Sequence, residues 1–124
     1  MTHMREYKPR RASKRWLDGD CPAGVLAIFD NPKFGDRYTV FYAEVITYEG
    51  DRHKYIGYRG MSAAPCDPQG VGLYSEMEAH AAANYRYFNS KKACKWTDLP
   101  EAVKNLVRHD LAKDTPPMKL KETE

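Results

Sequence analysis

The sequence predicts one α+β domain: a small antiparallel β-sheet over residues 24–59, of at least three strands, with two helices packed on one face. Three observations lead there. The chain has 124 residues, a length suited to one domain with one sizeable core. β-Branched and aromatic residues dominate an alternating run at 37–48. Nearer the C-terminus, apolar residues recur at helical spacing. Hydrophobic residues make up 42% and charged residues 30%, which excludes wholesale disorder. No apolar run approaches the roughly 18 residues that span a bilayer. Residues 1–16 lack the apolar stretch of a secretory signal, so a cytoplasmic protein without a membrane partner is expected.

Taken in order, residues 1–20 read as a flexible basic arm, with Trp16-Leu17 positioned to dock on the domain that fills 21–112. The apolar run Gly24 to Phe29 predicts a first strand, and Asn31-Pro32 and Gly35-Asp36 a turn after it. Arg37 to Tyr48 is the clearest strand, with Tyr38, Val40 and Tyr42 on one face and Thr39, Phe41 and Ala43 on the other. Glu49-Gly50-Asp51-Arg52 supplies a hairpin turn, and His53 to Arg59 returns antiparallel. Gly60 to Gly72 holds two prolines and three glycines and predicts an Ω-like loop with Met61 inserted in the core. Ser75-x-x-Glu78 has the form of a capping box and predicts a helix through about Tyr87. A short extra strand is expected at 93–96. A second helix follows Pro100, with Leu99, Val103, Leu106, Val107 and Leu111 as its buried stripe. Pro116-Pro117 and alternating charges mark 113–124 as a frayed tail.

Charge is the most informative functional signal. The net charge is +3, yet Arg5, Lys8, Arg10, Arg11, Lys14 and Arg15 stand against Glu6 alone in the first 16 residues. The arm therefore carries all of the positive excess and the remaining body is slightly acidic, a split that points the arm at nucleic acid or another acidic surface. Tyrosines on the hairpin alternate with Arg37, Arg52, Lys54 and Arg59, a pattern able to stack bases or form a protein hot spot. Strand alternation puts Tyr55, Gly57 and Arg59 on one face. Because an unpaired arginine is rarely buried, that face is expected to be the outer one.

Catalytic signals are weak. The loop glycines match no phosphate-binding pattern, Ser62 has no nucleophile-elbow context, and Glu44 has no second carboxylate tied to it by spacing. Asp36 beside Arg37 reads as a loop anchor. Cys21, Cys66 and Cys94 are odd in number, far apart and in no zinc-ligand spacing, so reduced, metal-free thiols are expected, and no cofactor.

Asp36-Arg37-Tyr38-Thr39-Val40, Gly60-Met61-Ser62, Pro68-Gln69-Gly70-Val71-Gly72 and Asp98-Leu99-Pro100-Glu101-Ala102-Val103, in that order, resemble a group of small uncharacterised proteins of bacteriophages, prophages and other mobile elements. The resemblance covers about residues 22–111 and implies a setting, a bacterial host cell, with no established activity. It implies a non-catalytic accessory or inhibitor, of the anti-CRISPR kind among others, that binds nucleic acid or a nucleic-acid-handling protein. The expected binding residues are Arg5, Lys8, Arg10, Arg11, Lys14, Arg15, Arg37, Tyr55 and Arg59, with Met61, Ser62 and Gln69 as the surface of the 60–72 loop. The alternatives are a small enzyme using Asp36, Arg37 and Ser62 at that loop, and a structural virion or assembly component. Partner identity and oligomeric state stay open.

Overall fold

The structure, a computed structural model, describes residues 8–112. Four strands form one antiparallel sheet in the order β1-β2-β3-β4: β1 (Val25–Asp30), β2 (Tyr38–Thr47), β3 (Lys54–Met61) and β4 (Gly72–Glu78). Helices α1 (Ala79–Phe88) and α2 (Glu101–Ala112) follow. The expected α+β class and antiparallel sheet hold. The β2–β3 turn is tight because Gly50 takes a left-handed φ of 84°, while Tyr48 O accepts from Asp51 N–H at 3.1 Å.

The helices are distributed one to each face of the sheet rather than together on one. Phe41 and Phe29 of the sheet meet Tyr85 of α1 at ring-centroid distances of 5.3 and 5.5 Å, and Tyr58 stacks on Phe41 at 5.4 Å. Ala82 of α1 is fully buried against this group. On the opposite face Val103 and Val107 of α2 join Val25, Ile28, Val40, Tyr42, Met61 and Trp96 in a second core. Strand alternation explains the arrangement. Both residue sets of β2 are apolar, and burying both faces of its N-terminal half requires cover on each side. The stripe foreseen on α2 is present: Leu99, Val103 and Val107 are buried, with Leu106 and Leu111 packed at its margin.

Strand β4 departs from expectation. Ser75 through Glu78 pair with Tyr58 through Tyr55 instead of opening a helix. The helix begins four residues later, where the Glu78 side chain accepts from Ala81 N–H at 3.2 Å. A capping box contributes about a kcal/mol locally, whereas seven paired residues complete the sheet, so the ladder prevails. The expected strand at 93–96 is reduced to a single bridge, Phe29 to Ala93, before a 3-10 turn at Trp96–Asp98.

The segment expected as a flexible arm over 1–20 is laid on the body throughout its described part. Ala12 N–H donates to Leu26 O at 3.0 Å, at the bulge where β1 holds one residue more than β2. Farther on, Trp96 N–H donates to Trp16 O at 3.0 Å, and Asp18 accepts from Thr97 N–H and Oγ1 at 3.1 and 2.7 Å. Leu17 packs against the α2-side core. These contacts correct the flexible reading for 8–20. The Ala12 bond, together with Cys94 N–H donating to Ile28 O at 3.0 Å, occupies part of the open edge of β1, which would otherwise present unpaired backbone groups. The frayed tail expected at 113–124 lies outside the described residues.

Candidate nucleic-acid interface

Laying the arm over β1 creates a groove of about 660 Å³ between it and the C-terminal half of α1. Lys8, Arg10, Arg11 and Arg86 line it together with Trp16 and Tyr87, over a floor that includes Ala27, Phe29 and Ala93. Among the described residues, no carboxylate lines this groove. Arg86 Nη1 donates to the Arg10 carbonyl at 2.6 Å, stapling the arm to α1, and Arg11 Nη1 donates to Ala23 O at 2.6 Å. Each staple uses a backbone carbonyl as acceptor, so among the described residues no acid cancels either charge. Arg86 Nε is buried without a hydrogen-bond partner among the described residues. The Arg15 guanidinium lies over the Trp16 ring, 4.9 Å from its centroid.

Of the expected binding residues, the groove thus gathers Lys8, Arg10 and Arg11. Lys14 and Arg15 are exposed beside it on the same segment, and Arg5 lies outside the described residues. Sequence reasoning missed Arg86 and Tyr87, and it placed Trp16 only as a docking residue. The signal available was Tyr85-Arg86-Tyr87-Phe88 at a helix end followed by Lys91-Lys92, a second cationic and aromatic stretch beside the first.

The rest of the expected interface lies elsewhere and is otherwise engaged. Arg59 is corrected outright: it does not sit on an outer face. Its Nε and Nη2 donate to Asp110 of α2 at 2.7 and 2.8 Å, Nη1 donates to Gly72 O at 3.1 Å, and its side chain is only 16% exposed. Asp110 is 2% exposed and also accepts from Tyr42 OH at 2.5 Å. Burial, followed by the neighbouring carboxylate, pushes the Tyr42 phenol well above its ordinary value. Arg59 tolerates burial because its carboxylate partner is supplied from 51 residues away. Tyr55, on the same face nearer the hairpin tip, donates to Asp51 Oδ2 at 2.6 Å. Arg37 is tied to Asp30, not to Asp36, by two bonds of 2.7 and 3.1 Å.

The 60–72 loop follows the structural reading. Ser62 N–H donates to Val71 O at 2.8 Å and Ser62 Oγ accepts from Val71 N–H at 3.0 Å, closing the loop at its base. Met61 is fully buried, which corrects its placement on the loop surface, while Ser62 is half-buried and Gln69 exposed. Glu44 is exposed. Cys21, Cys66 and Cys94 are all free thiols, and burial pushes those of Cys21 and Cys94 up to about 11. No helix among the described residues is long and apolar enough to cross a membrane. Comparison with protein-family models, with curated proteins and with solved structures finds no match to this chain.

Proposed function

We propose that this protein is a non-catalytic nucleic-acid binder whose interface is the groove between the arm and α1. One observation carries the reading: four cations and three aromatic rings converge on a groove with no lining carboxylate among the described residues. Phosphates supply the complementary charge, and aromatic rings are surfaces on which bases stack. The mobile-element setting implied by the motif resemblance belongs to the same proposal, as an accessory or inhibitor acting in a bacterial host. Neighbouring genes for replication, defence or virion assembly are the observation that tests that setting.

The binding itself is tested by titrating a labelled oligonucleotide at several salt concentrations. Neutralising four phosphates of a single strand gives a slope of log K on log salt of about −3. Replacing Lys8 and Arg10 by glutamate should flatten the slope by more than one and weaken binding accordingly. Those side chains are exposed, and the Arg86 staple uses the Arg10 backbone, so the fold should be retained. No detectable binding of any oligonucleotide at low salt overturns the proposal.

A further inference from the structure

Resting on that reading, we infer that the groove takes a single strand with its bases unpaired, and discriminates against duplex. The observation is the apolar rim beside the cations. Tyr87 and Phe88, the last two residues of α1, are 75% and 78% exposed, large hydrophobic side chains left in water. Their rings meet edge to face with centroids 5.1 Å apart, so they form one projecting surface. Tyr87 also lines the groove, directly after Arg86, and Trp16 lines it too. Lys91 and Lys92 follow just beyond the helix end, in the 3-10 turn Ser90–Lys92, and both are exposed.

The geometry favours a strand over a duplex for a physical reason. A duplex offers its phosphates outward and keeps base faces stacked inside, so it satisfies the cations and leaves the aromatic rim in water. An unpaired strand satisfies both, because each splayed base covers a ring while its phosphate meets a neighbouring cation. Stacking is tolerant of base identity, so little sequence preference is expected. DNA and RNA share this chemistry, and the test includes both.

The experiment uses the full chain with labelled oligo-dT and oligo-U of about fifteen nucleotides, and a duplex of equal phosphate count, read by fluorescence anisotropy. Single strands should bind at least roughly tenfold tighter than duplex, with quenching of Trp16 fluorescence. Trp96, the other tryptophan, is fully buried and reports folding in the same spectrum. Replacing Tyr87 and Phe88 together by alanine should weaken single-strand binding roughly tenfold while leaving duplex binding unchanged. Both side chains are exposed, so that variant should fold. Equal binding of strand and duplex, or an unaltered single-strand affinity in the double variant, overturns the inference while the nucleic-acid reading stands. Displacement of the strand by polyglutamate as readily as by oligo-dT shows a charge-only surface and overturns it too. Absence of any oligonucleotide binding overturns both.

Discussion

The molecule handles arginine in two opposite ways. On the α2 face Arg59 is enclosed, bound through one edge of its guanidinium to both oxygens of Asp110 and through Nη1 to a backbone carbonyl. In the groove by α1, Arg11 and Arg86 donate to backbone carbonyls and pair with no carboxylate among the described residues, with Lys8 and Arg10 alongside. The first arrangement neutralises the charge and fixes helix to sheet. The second fixes the side chains and leaves their charge uncancelled. A cation held by a neutral acceptor is available to an anion, whereas a cation held by a buried carboxylate is structural. The same residue type thus signals function or stability according to what accepts its hydrogen bonds.

Arg59 is the position where a substitution costs most. Arg59→Met leaves the Asp110 carboxylate in a nearly closed site with Tyr42 as its remaining donor. Removing one partner of a buried pair costs about 3–5 kcal/mol, so the chemical-denaturation midpoint should fall sharply. Whatever fraction stays folded should bind oligonucleotide as the parent does. A loss of affinity without loss of stability would reverse the roles assigned to the two regions.

Gly70→Ala ranks next. A Cβ at Gly70 would collide with the Ala64 carbonyl oxygen inside the 60–72 loop, and backbone cannot yield as a flexible side chain does. A cost of about 1–3 kcal/mol is expected, again without effect on the groove. Unchanged stability would mean that the loop has slack, and its closure at Ser62 and Val71 would count for little.

Arg86→Ala acts on the groove instead. It removes the staple to Arg10 O, an exposed bond contributing about 1 kcal/mol, so thermal stability should change little. Oligonucleotide affinity should drop several-fold, because one cation is lost and Lys8 and Arg10 lose their fixed position. Arg86→Lys keeps the charge without the forked donor geometry and should recover only part of the affinity. Full affinity in Arg86→Ala would show that the arm needs no anchoring to α1.

How much of this was legible in sequence depended on the range of the interactions. Strand β2 was readable to within a residue at each end, because Val, Ile, Thr, Tyr and Phe fill it almost throughout and leave few other conformations. The α2 stripe was readable from its helical spacing, whereas Met61 was expected both in the core and on the loop surface, and only the first holds. Strand β4 was not: Ser75-x-x-Glu78 offers a sound local helix start, and only the β3 partner strand overrules it. The split of Tyr55 and Arg59 from Tyr58 followed from alternation, but which face is covered was set by Asp110. The cationic half of the groove was visible in the arm. Its aromatic half and Arg86 are contributed by α1, about 75 residues later, and no local pattern links the two.

The smallest effect belongs to the hairpin tip, where a third way of using charge appears. Asp51 accepts from Tyr55 OH at 2.6 Å and from His53 N–H at 2.8 Å. The Tyr55 hydroxyl first, then the His53 backbone and ring, hold the Asp51 carboxyl down to about 2. A folded value below the unfolded one means that folding favours the ionised form. Its contribution is therefore complete above the ordinary carboxylate range near pH 4 and fades as pH falls towards about 2. The site faces solvent, so the change in midpoint should be slight, and the titration itself is the better readout. In Tyr55→Phe the leading donor is gone while the ring still packs edge to face on Tyr48, 5.7 Å away. The Asp51 carboxyl, followed by NMR, should then move up towards 3.8, with oligonucleotide affinity unchanged. An unmoved titration would assign the depression to the His53 backbone amide, and a change in affinity would place the hairpin tip back in the interface from which Arg59 has been removed.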